Sequence, residues 1–300
     1  MTSRSQVAAP LGDEEVAGYW KALGLPGLID AHVHFMPDSV LRKVWAYFAS
    51  KGPLTGRDWP IAYKWDEQQR LDHLRAMGVR AFPSLVYAHK PDMAKWLNDW
   101  AVGFAVDHGD VIQTATMFPE PGVASYVDEA LRAGARIVKV HVQVGGFDPR
   151  DPLLDPAWGL LADAGTPVVV HAGSGPTPGS FTGPGPIGEV LQRHPRLAMI
   201  AAHMGKPEYD EFLDFAEAYE NVRVDTTMCF TDFGDDRFDG HPLAPRLRAL
   251  QDKVLFGADF PNIPYAYAHQ IEALTRLELG DAWMRAVLWD NASELFGIAA

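Results

Sequence analysis

The sequence predicts an α/β protein, and within that class a (β/α)8 barrel, also called a TIM barrel. Short apolar runs alternate with segments of helical periodicity, and the runs are apolar on both faces, as buried parallel strands are. Successive runs begin about 32 residues apart on average, which is the size of one βαβ unit, and eight such units are typical of this barrel. The eight runs span 27–34, 79–87, 111–118, 136–144, 167–171, 197–203, 221–228 and 253–259.

The segments between these runs have the periodicity of amphipathic helices. Gly78 and Gly134 stand where a helix should end before the next strand begins. An open, doubly wound sheet is the alternative fold, but it would need a glycine-rich turn after the first strand, where the sequence is HVHFMPD. The predicted helices span 66–77, 92–106, 123–133, 187–193, 208–219 and 265–279.

Length and composition indicate a single globular domain. The chain has 300 residues, of which 47% are hydrophobic and 22% are charged, and this excludes collagen, a coiled coil or a wholly disordered chain. Since a barrel takes about 250 residues, we expect a short extension at 1–26 and one barrel domain at 27–300. The tail at 281–300 is expected to form helices that pack outside the barrel.

Charge and cysteine content exclude several classes of partner and site. With 26 basic and 39 acidic residues the net charge is −13, which argues against nucleic acid or an anionic membrane as the main partner. No apolar run approaches the length of a membrane span or of a signal-peptide core, so we expect a cytoplasmic protein. The single cysteine, Cys229, excludes an internal disulfide and a cysteine-rich zinc site.

Histidines stand at the ends of several predicted strands, where a barrel of this kind carries its active site. His32 and His34 are two residues apart, so both side chains can face the barrel mouth and hold one metal ion. Three further predicted strands end at His171, His203 and Asp259. Because so many buried polar groups would be costly without a partner, the set predicts a site for a divalent cation.

Lysine and histidine also recur at a regular interval. Lys139, His171 and His203 follow one another at a spacing of 32 residues, which predicts that three neighbouring strands present them at a similar height. His141 lies on the same face of its strand as Lys139 and is the alternative pocket residue.

At this point the sequence resembles the amidohydrolase superfamily, and within it the amidohydrolase-related branch that also contains metal-dependent decarboxylases. The similarity runs from about residue 28 to 296. It implies that His32, His34, His171 and Asp259 bind one metal ion, most often zinc, with manganese or another divalent ion as the alternative, and that His203 assists catalysis. A homodimer is common among similar proteins. The motif residues are His32-x-His34, His171, His203 and the sequence Gly257-Ala258-Asp259-Phe260-Pro261.

The resemblance leaves the number of ions open. In binuclear relatives a lysine at the position of Lys139 is carboxylated and bridges two ions, and His171 and His203 would then bind the second ion. The alternative is an ordinary lysine that pairs with a carboxylate or with the substrate.

The predicted function is hydrolysis of an amide, ester or lactone bond of a small molecule by a metal-activated water. Asp259 would bind the ion or act as general base, and His203 would polarise the carbonyl or stabilise the oxyanion. The alternative is a metal-dependent, non-oxidative decarboxylase of a small aromatic or semialdehyde acid. A catalytically silent metal-binding barrel is the third hypothesis.

Two loops are expected to shape the substrate site. The connection at 35–65 is long for such a barrel, contains a predicted helix at 40–50, and carries aromatic residues that suit a hydrophobic lid. The loop at 172–186 is rich in glycine and proline, so its backbone can pass close to a ligand or metal. The aromatic residues are Trp45, Tyr47, Phe48, Trp59, Tyr63 and Trp65.

Overall fold

The structure, a computed structural model, describes residues 7–50, 58–233 and 241–299. The chain divides into two compact units. The first unit comprises Met1–His34, Ser39–Phe82 and Thr226–Ala300, and the second comprises Phe35–Asp38 and Pro83–Asp225. Among the described residues, every helix is too short or too polar to cross a membrane.

The strands are short and the helices separate most of them along the chain. In order, the strands are β1 Leu28–Ile29, β2 Val79–Pro83, β3 Val111–Ile112, β4 Thr114–Thr116, β5 Ile137–His141, β6 Val168–His171, β7 Met199–Ala201, β8 Arg223–Asp225 and β9 Val254–Leu255. The α-helices are α1 Val16–Ala22, α2 Asp38–Ser50, α3 Glu67–Met77, α4 Ala94–Asp107, α5 Val123–Arg132, α6 Val142–Gly145, α7 Asp155–Ala164, α8 Pro184–Arg193, α9 Tyr209–Ala218, α10 Ala244–Ala249, α11 Tyr267–Thr275, α12 Asp281–Arg285 and α13 Asn291–Phe296.

In the first unit, β1 pairs in parallel with β2, and α3 leads directly into β2. Asp66 starts α3 with a capping box shared with Gln69, and Gly78 ends it in a left-handed conformation at φ 86°. A Cβ atom at Gly78 would lie 2.5 Å from the indole of Trp20, whose Nε1 donates to the carbonyl of Met77. The position therefore requires glycine for two reasons, the backbone conformation and the close approach of α1.

The second unit contains the strands β4 to β8, which pair in parallel in the order in which they occur in the chain. The central strands β5, β6 and β7 are rich in valine and isoleucine and almost completely buried. Such strands need apolar residues on both faces because helices cover them. The alternation of strands and helices predicted from the sequence is confirmed in this unit, apart from the helix between β5 and β6 described below.

Predicted strands generally extend too far at the carboxyl end. The run 197–203 forms a strand only over β7 and continues as a 3-10 turn at Ala202–Gly205, and the run 136–144 ends at His141, where α6 begins. The helix α7 was not predicted at all, since Pro156 near its start and Gly159 in its middle obscure the pattern.

The predicted N-terminal extension and the predicted helical tail both contain helices. Residues 1–6 of the predicted extension 1–26 lie outside the described residues, while its later part contains α1. The predicted helical tail is present as α12, a π-helical stretch at Ala286–Asp290 and α13. The extent of the barrel domain at 27–300 stays a prediction.

Candidate metal centre

Two histidines and an aspartate from distant parts of the chain meet in the first unit. The Nε2 atom of His34 lies 3.0 Å from Oδ1 of Asp259, and Nε2 of His32 lies 3.8 Å from the same oxygen. The two imidazole rings have centroids 5.1 Å apart and meet edge to face at 66°. All three residues are buried. Two nitrogens and one carboxylate oxygen in so small a space are a donor set that suits a divalent cation.

Backbone hydrogen bonds hold the two segments of this cluster together. His34 N donates to the carbonyl of Phe260 at 2.7 Å, and Asp259 N donates to the carbonyl of His32 at 2.8 Å. Val33 forms an isolated parallel bridge with Phe260. Only Leu28–Ile29 belongs to the ladder of β1, and the chain bends at Ala31. His32 and His34 flank the bridge residue Val33, and both side chains lie beside Asp259, so they face the same side as predicted.

Asp259 occupies a left-handed backbone conformation at φ 67°. This conformation costs a residue with a side chain about 1–2 kcal/mol and is tolerated best by Asn and Asp. The turn is closed by a hydrogen bond from Asn262 N to the carbonyl of Asp259 at 2.8 Å. A strained aspartate beside two histidines is an arrangement that the surrounding structure must stabilise, which is common at functional sites.

Asp30 is a buried part of this cluster that the sequence analysis missed. Its Oδ1 accepts hydrogen bonds from His32 N at 3.0 Å and from Ala258 N at 3.1 Å, and its Oδ2 accepts one from the hydroxyl of Tyr267 at 2.8 Å. Burial, together with the adjacent carboxylate of Asp30, holds the pKa of Tyr267 well above its usual value. The available signal was an aspartate that closes an apolar strand two residues before His32.

The rings of three other histidines lie next to one another in the second unit. The rings of His141 and His171 lie nearly parallel, with centroids 4.0 Å apart and an angle of 13° between their planes. The ring of His203 follows at 4.6 Å from that of His171. His141 is the direct neighbour of His171 in the pairing of β5 with β6. The alternative pocket residue therefore lies directly beside His171, one of the predicted metal ligands.

The prediction that neighbouring strands present Lys139 and His171 at a similar height is wrong. Lys139 lies opposite Val169 in the register of β5 and β6, and His141 lies opposite His171. A spacing of 32 residues along the chain does not determine the register between two strands. The register of β5 and β6 places Lys139 two residues deeper in the sheet than His171. The side chain of Lys139 is completely buried.

His203 stands in the 3-10 turn Ala202–Gly205, beyond the end of β7, so the prediction that it ends a strand is wrong. Its backbone is left-handed at φ 54°, and its N–H donates to Oδ1 of the buried Asp225 at 2.8 Å. Gly205 closes the turn at φ 73°, and a Cβ atom there would lie 2.0 Å from the ring of Phe212. The turn depends on a buried carboxylate and on a glycine whose close contact is visible only in three dimensions.

The glycine-rich loop after β6 folds back on His171, and its predicted approach to a ligand or metal stays a prediction. The Nε2 atom of His171 lies 3.1 Å from the carbonyl of Gly175. A Cβ atom at Gly173 would lie 2.6 Å from the backbone of Gly205 and Lys206. Only a residue without a side chain allows these two loops of the second unit to pack so closely.

The aromatic residues predicted to form a lid divide into two groups in the first unit. The indoles of Trp45 and Trp59 both donate to Asn262, to Oδ1 at 3.1 Å and to its carbonyl at 2.7 Å. Tyr63 and Trp65 pack instead around His73. Residues 51–57 of the predicted lid lie outside the described residues. Two tryptophans are thus anchored on the turn that carries Asp259.

Comparison with known proteins identifies relatives by family and by structure. A model of the amidohydrolase family matches residues 29–298. A search of curated protein sequences finds no match.

Solved structures with the same fold include proteins of different activities. A TIM-barrel protein of Bordetella bronchiseptica, without an assigned activity, has a TM-score of 0.71 at 19% identity, covering 90% of this chain and 98% of that one. The 5-carboxyvanillate decarboxylase of Novosphingobium aromaticivorans, complexed with manganese and 4-hydroxy-3-methoxy-5-nitrobenzoic acid, has a TM-score of 0.62 at 16% identity, covering 91% and 96%. A Pseudomonas putida protein named as a candidate 2-pyrone-4,6-dicarboxylic acid hydrolase has a TM-score of 0.61 at 17% identity, covering 92% and 99%. The likeness confirms the predicted TIM-barrel fold.

Proposed function

Because the chain belongs to the amidohydrolase family, we propose that it is a metal-dependent hydrolase that cleaves an amide, ester or lactone bond of a small molecule. The observation that carries this proposal is the buried cluster of His32, His34 and Asp259, in which two imidazole nitrogens approach one carboxylate oxygen. Burying these polar groups costs free energy that apolar side chains at the same positions would not cost, so stability of the fold alone does not account for the cluster.

We assign His32, His34 and Asp259 as metal ligands, with His171 as the fourth. His171 ends β6, and in a (β/α)8 barrel the carboxyl ends of all strands converge on one face, where catalytic residues gather. Zinc is the ion that we propose, since three histidines and a carboxylate suit it. Manganese is the alternative, because one similar structure contains it.

We propose different roles in the reaction for Asp259 and His203. The proposed ligands would hold a divalent cation, which would supply the Lewis acidity that makes water a nucleophile near neutral pH. Asp259 would accept a proton from the attacking water as general base and would return it to the amine or alkoxide that leaves when the amide, ester or lactone bond breaks. His203 would donate a hydrogen bond to the substrate oxygen on which negative charge develops, and its turn fixes the imidazole for that purpose.

Lys139 and His141 are proposed as pocket residues. His141 stacks on His171, so it would line the same pocket and limit the shape of the substrate there. Lys139 would serve as a carboxylated ligand for a second ion only if two ions bind per chain. Elemental analysis of the purified protein distinguishes the two cases by the ratio of metal to protein.

The decisive experiment combines metal content with turnover of a panel of small amides, esters and lactones. His32→Ala is expected to lose both metal and activity, whereas His203→Asn should keep the metal and lose about 100-fold or more in kcat, the usual contribution of such a group. His194→Asn is the matched control, because His194 pairs with Asp155 outside both histidine clusters. A protein that binds no divalent ion, or a fully active His203→Asn variant, contradicts the assignment.

Decarboxylation is the second candidate, favoured by the likeness to a decarboxylase over nearly the whole chain. The same residues would then hold an ion that binds a carboxylate or phenolate group of the substrate. The bond to the carboxyl carbon would break with release of carbon dioxide, and a water or a side chain would protonate the carbon left behind. Incubation with aromatic acids and measurement of released carbon dioxide separates this activity from hydrolysis. Metal binding without turnover of either panel would favour the silent barrel.

A further inference from the structure

The helix α11 of the first unit starts without a capping residue of its own. Its N-cap, Ala266, has no side chain that can accept a hydrogen bond. The first two helical N–H groups instead reach residues far away in the sequence. Tyr267 N donates to the hydroxyl of Tyr63 at 2.6 Å, and Ala268 N donates to Oδ1 of Asp13 at 2.9 Å. The start of this helix is therefore fixed by the N-terminal segment of the chain.

Asp13 is the centre of that contact. Its Oδ2 accepts a hydrogen bond from the hydroxyl of Tyr63 at 2.6 Å and lies 2.7 Å from Nε2 of His73. Burial alone would raise the pKa of the Asp13 carboxyl, but the hydrogen bonds from His73, Tyr63 and Ala268 outweigh burial and hold the pKa below its usual value. An ionised carboxylate at the amino end of a helix is also favoured by the helix dipole.

The first residue of α11 connects this anchor to the candidate metal centre. Tyr267 is completely buried, and its hydroxyl donates to Oδ2 of Asp30. The other oxygen of Asp30 receives the N–H groups of His32 and Ala258. One of these is the backbone of a proposed ligand, and the other directly precedes Asp259. A single carboxylate thus bridges both segments that carry the cluster, and Tyr267 fixes that carboxylate.

We propose that Asp13 and Tyr267 are positioning residues for the metal centre. The N-terminal segment would then help to set the geometry of the metal ligands. Asp13 holds the start of α11, and Tyr267 orients the carboxylate of Asp30. Asp30 in turn holds the N–H groups of His32 and Ala258, which adds to the direct hydrogen bond from Asp259 N to the carbonyl of His32. The inference rests on the proposed metal site but adds to it residues that touch neither the ion nor the substrate.

Groups of this kind influence the metal by holding the ligands in the geometry that the ion requires. Loss of an outer hydrogen bond typically lowers metal affinity about 10- to 100-fold. Tyr267→Phe removes only the hydroxyl and keeps the ring that packs against Phe256 and Phe260. We expect it to raise the dissociation constant for zinc by about 10-fold or more. It should also shift the visible absorption band of the cobalt-substituted protein, because the ligand geometry changes.

The matched control is Tyr126→Phe in the second unit. Tyr126 is also buried, and its hydroxyl binds both the N–H and the carbonyl of Phe118. The control loses a buried hydroxyl and both of its hydrogen bonds, so it shows whether lost stability alone changes metal binding, and its zinc affinity and cobalt spectrum should match the wild type. A second pair, Asp13→Asn against the exposed neighbour Glu14→Gln, tests the outer end of the network, and only Asp13→Asn should weaken zinc binding.

Zinc affinity is measured by competition with a chromophoric chelator, and melting temperature is recorded for every variant. If Tyr267→Phe and Tyr126→Phe have the same zinc affinity and cobalt spectrum, the network is merely structural and the inference is wrong. The same holds if Asp13→Asn binds zinc as tightly as Glu14→Gln. If the wild-type protein itself fails to bind zinc, manganese or cobalt, the proposed function fails and this inference fails with it. The wild-type titration therefore distinguishes the two failures.

Discussion

Substitution of Gly205 by alanine tests how the His203 turn is built. Two separate penalties apply at this position. Its φ of 73° is left-handed, which costs a residue with a side chain about 1–2 kcal/mol. The new Cβ would also stand 2.0 Å from the ring of Phe212, a completely buried residue of α9, so the ring or the turn must move. Overpacking of this kind costs about 1–3 kcal/mol.

Together the two penalties predict a loss of about 2–5 kcal/mol in the free energy of unfolding, a large share of the roughly 5–15 kcal/mol of a typical protein. The melting temperature should fall by about 3–8 °C, since the unfolding entropy grows with chain length and this chain has 300 residues. Gly165→Ala is the matched control. Its φ is 63°, but no atom lies within 4 Å of the added Cβ, so it should lose only the conformational part, about 1–2 kcal/mol.

Urea denaturation of the wild-type protein and the two variants measures the difference. Since His203 lies two residues before Gly205, we also expect the folded Gly205→Ala variant to lose activity while Gly165→Ala keeps it. Equal destabilisation by both substitutions would refute the steric argument. Full activity of the folded Gly205→Ala variant would show that the geometry of the turn does not matter for His203.

Three further predictions concern charge, metal and the ligand carboxylate. Because the folded-state pKa of Asp13 is lowered from 3.8, its ionised form stabilises the fold above that pH, and this contribution disappears as the pH falls through the lower folded pKa. Wild type should therefore exceed Asp13→Asn in stability at pH 7, and the difference in urea titrations should shrink as the pH falls below 3.8. A pH-independent difference would contradict this. Zinc at about 100 times its dissociation constant should stabilise the protein by about 2.7 kcal/mol, and unchanged melting after chelation would contradict a resident ion. Asp259→Asn should weaken zinc binding at least 10-fold, which isothermal titration measures.

Local patterns in the sequence predicted the parts of the site that one strand contains. His32 and His34 are two residues apart on an extended segment, and an alternation of period two needs no knowledge of the rest of the chain. The strand ends at His171 and the glycines after it followed from the same local pattern, since a valine run and a glycine-rich loop are visible directly.

The remaining parts depend on relations between segments. The register of β5 and β6 puts His141 beside His171 and Lys139 opposite Val169, and residue spacing does not contain that register. His203 lies in a turn held by Asp225, which is 22 positions later. Such a hydrogen bond leaves no periodic pattern in the sequence, so the predicted strand runs to His203, two residues past the end of β7.

The network around Asp30 is the extreme case of such a relation. Its partner Tyr267 is 237 positions away in the chain, and neither residue type alone predicts the other. What the sequence showed was an aspartate next to a histidine pair, which is compatible with a ligand, a base or a structural group. Only the fold distinguishes among these roles.

The same hydrogen bonds determine when during synthesis the cluster can form. Asp30 and Ala258 are separated by 228 positions, so most of the chain must leave the ribosome before the carboxylate meets its second backbone partner. The histidine pair emerges early, whereas Asp259 and the helix α11 emerge late. Contacts of such long sequence separation form slowly and late in folding. Nascent chains therefore expose the histidine pair without Asp259, and the proposed metal site can be assembled only after Asp259 has emerged.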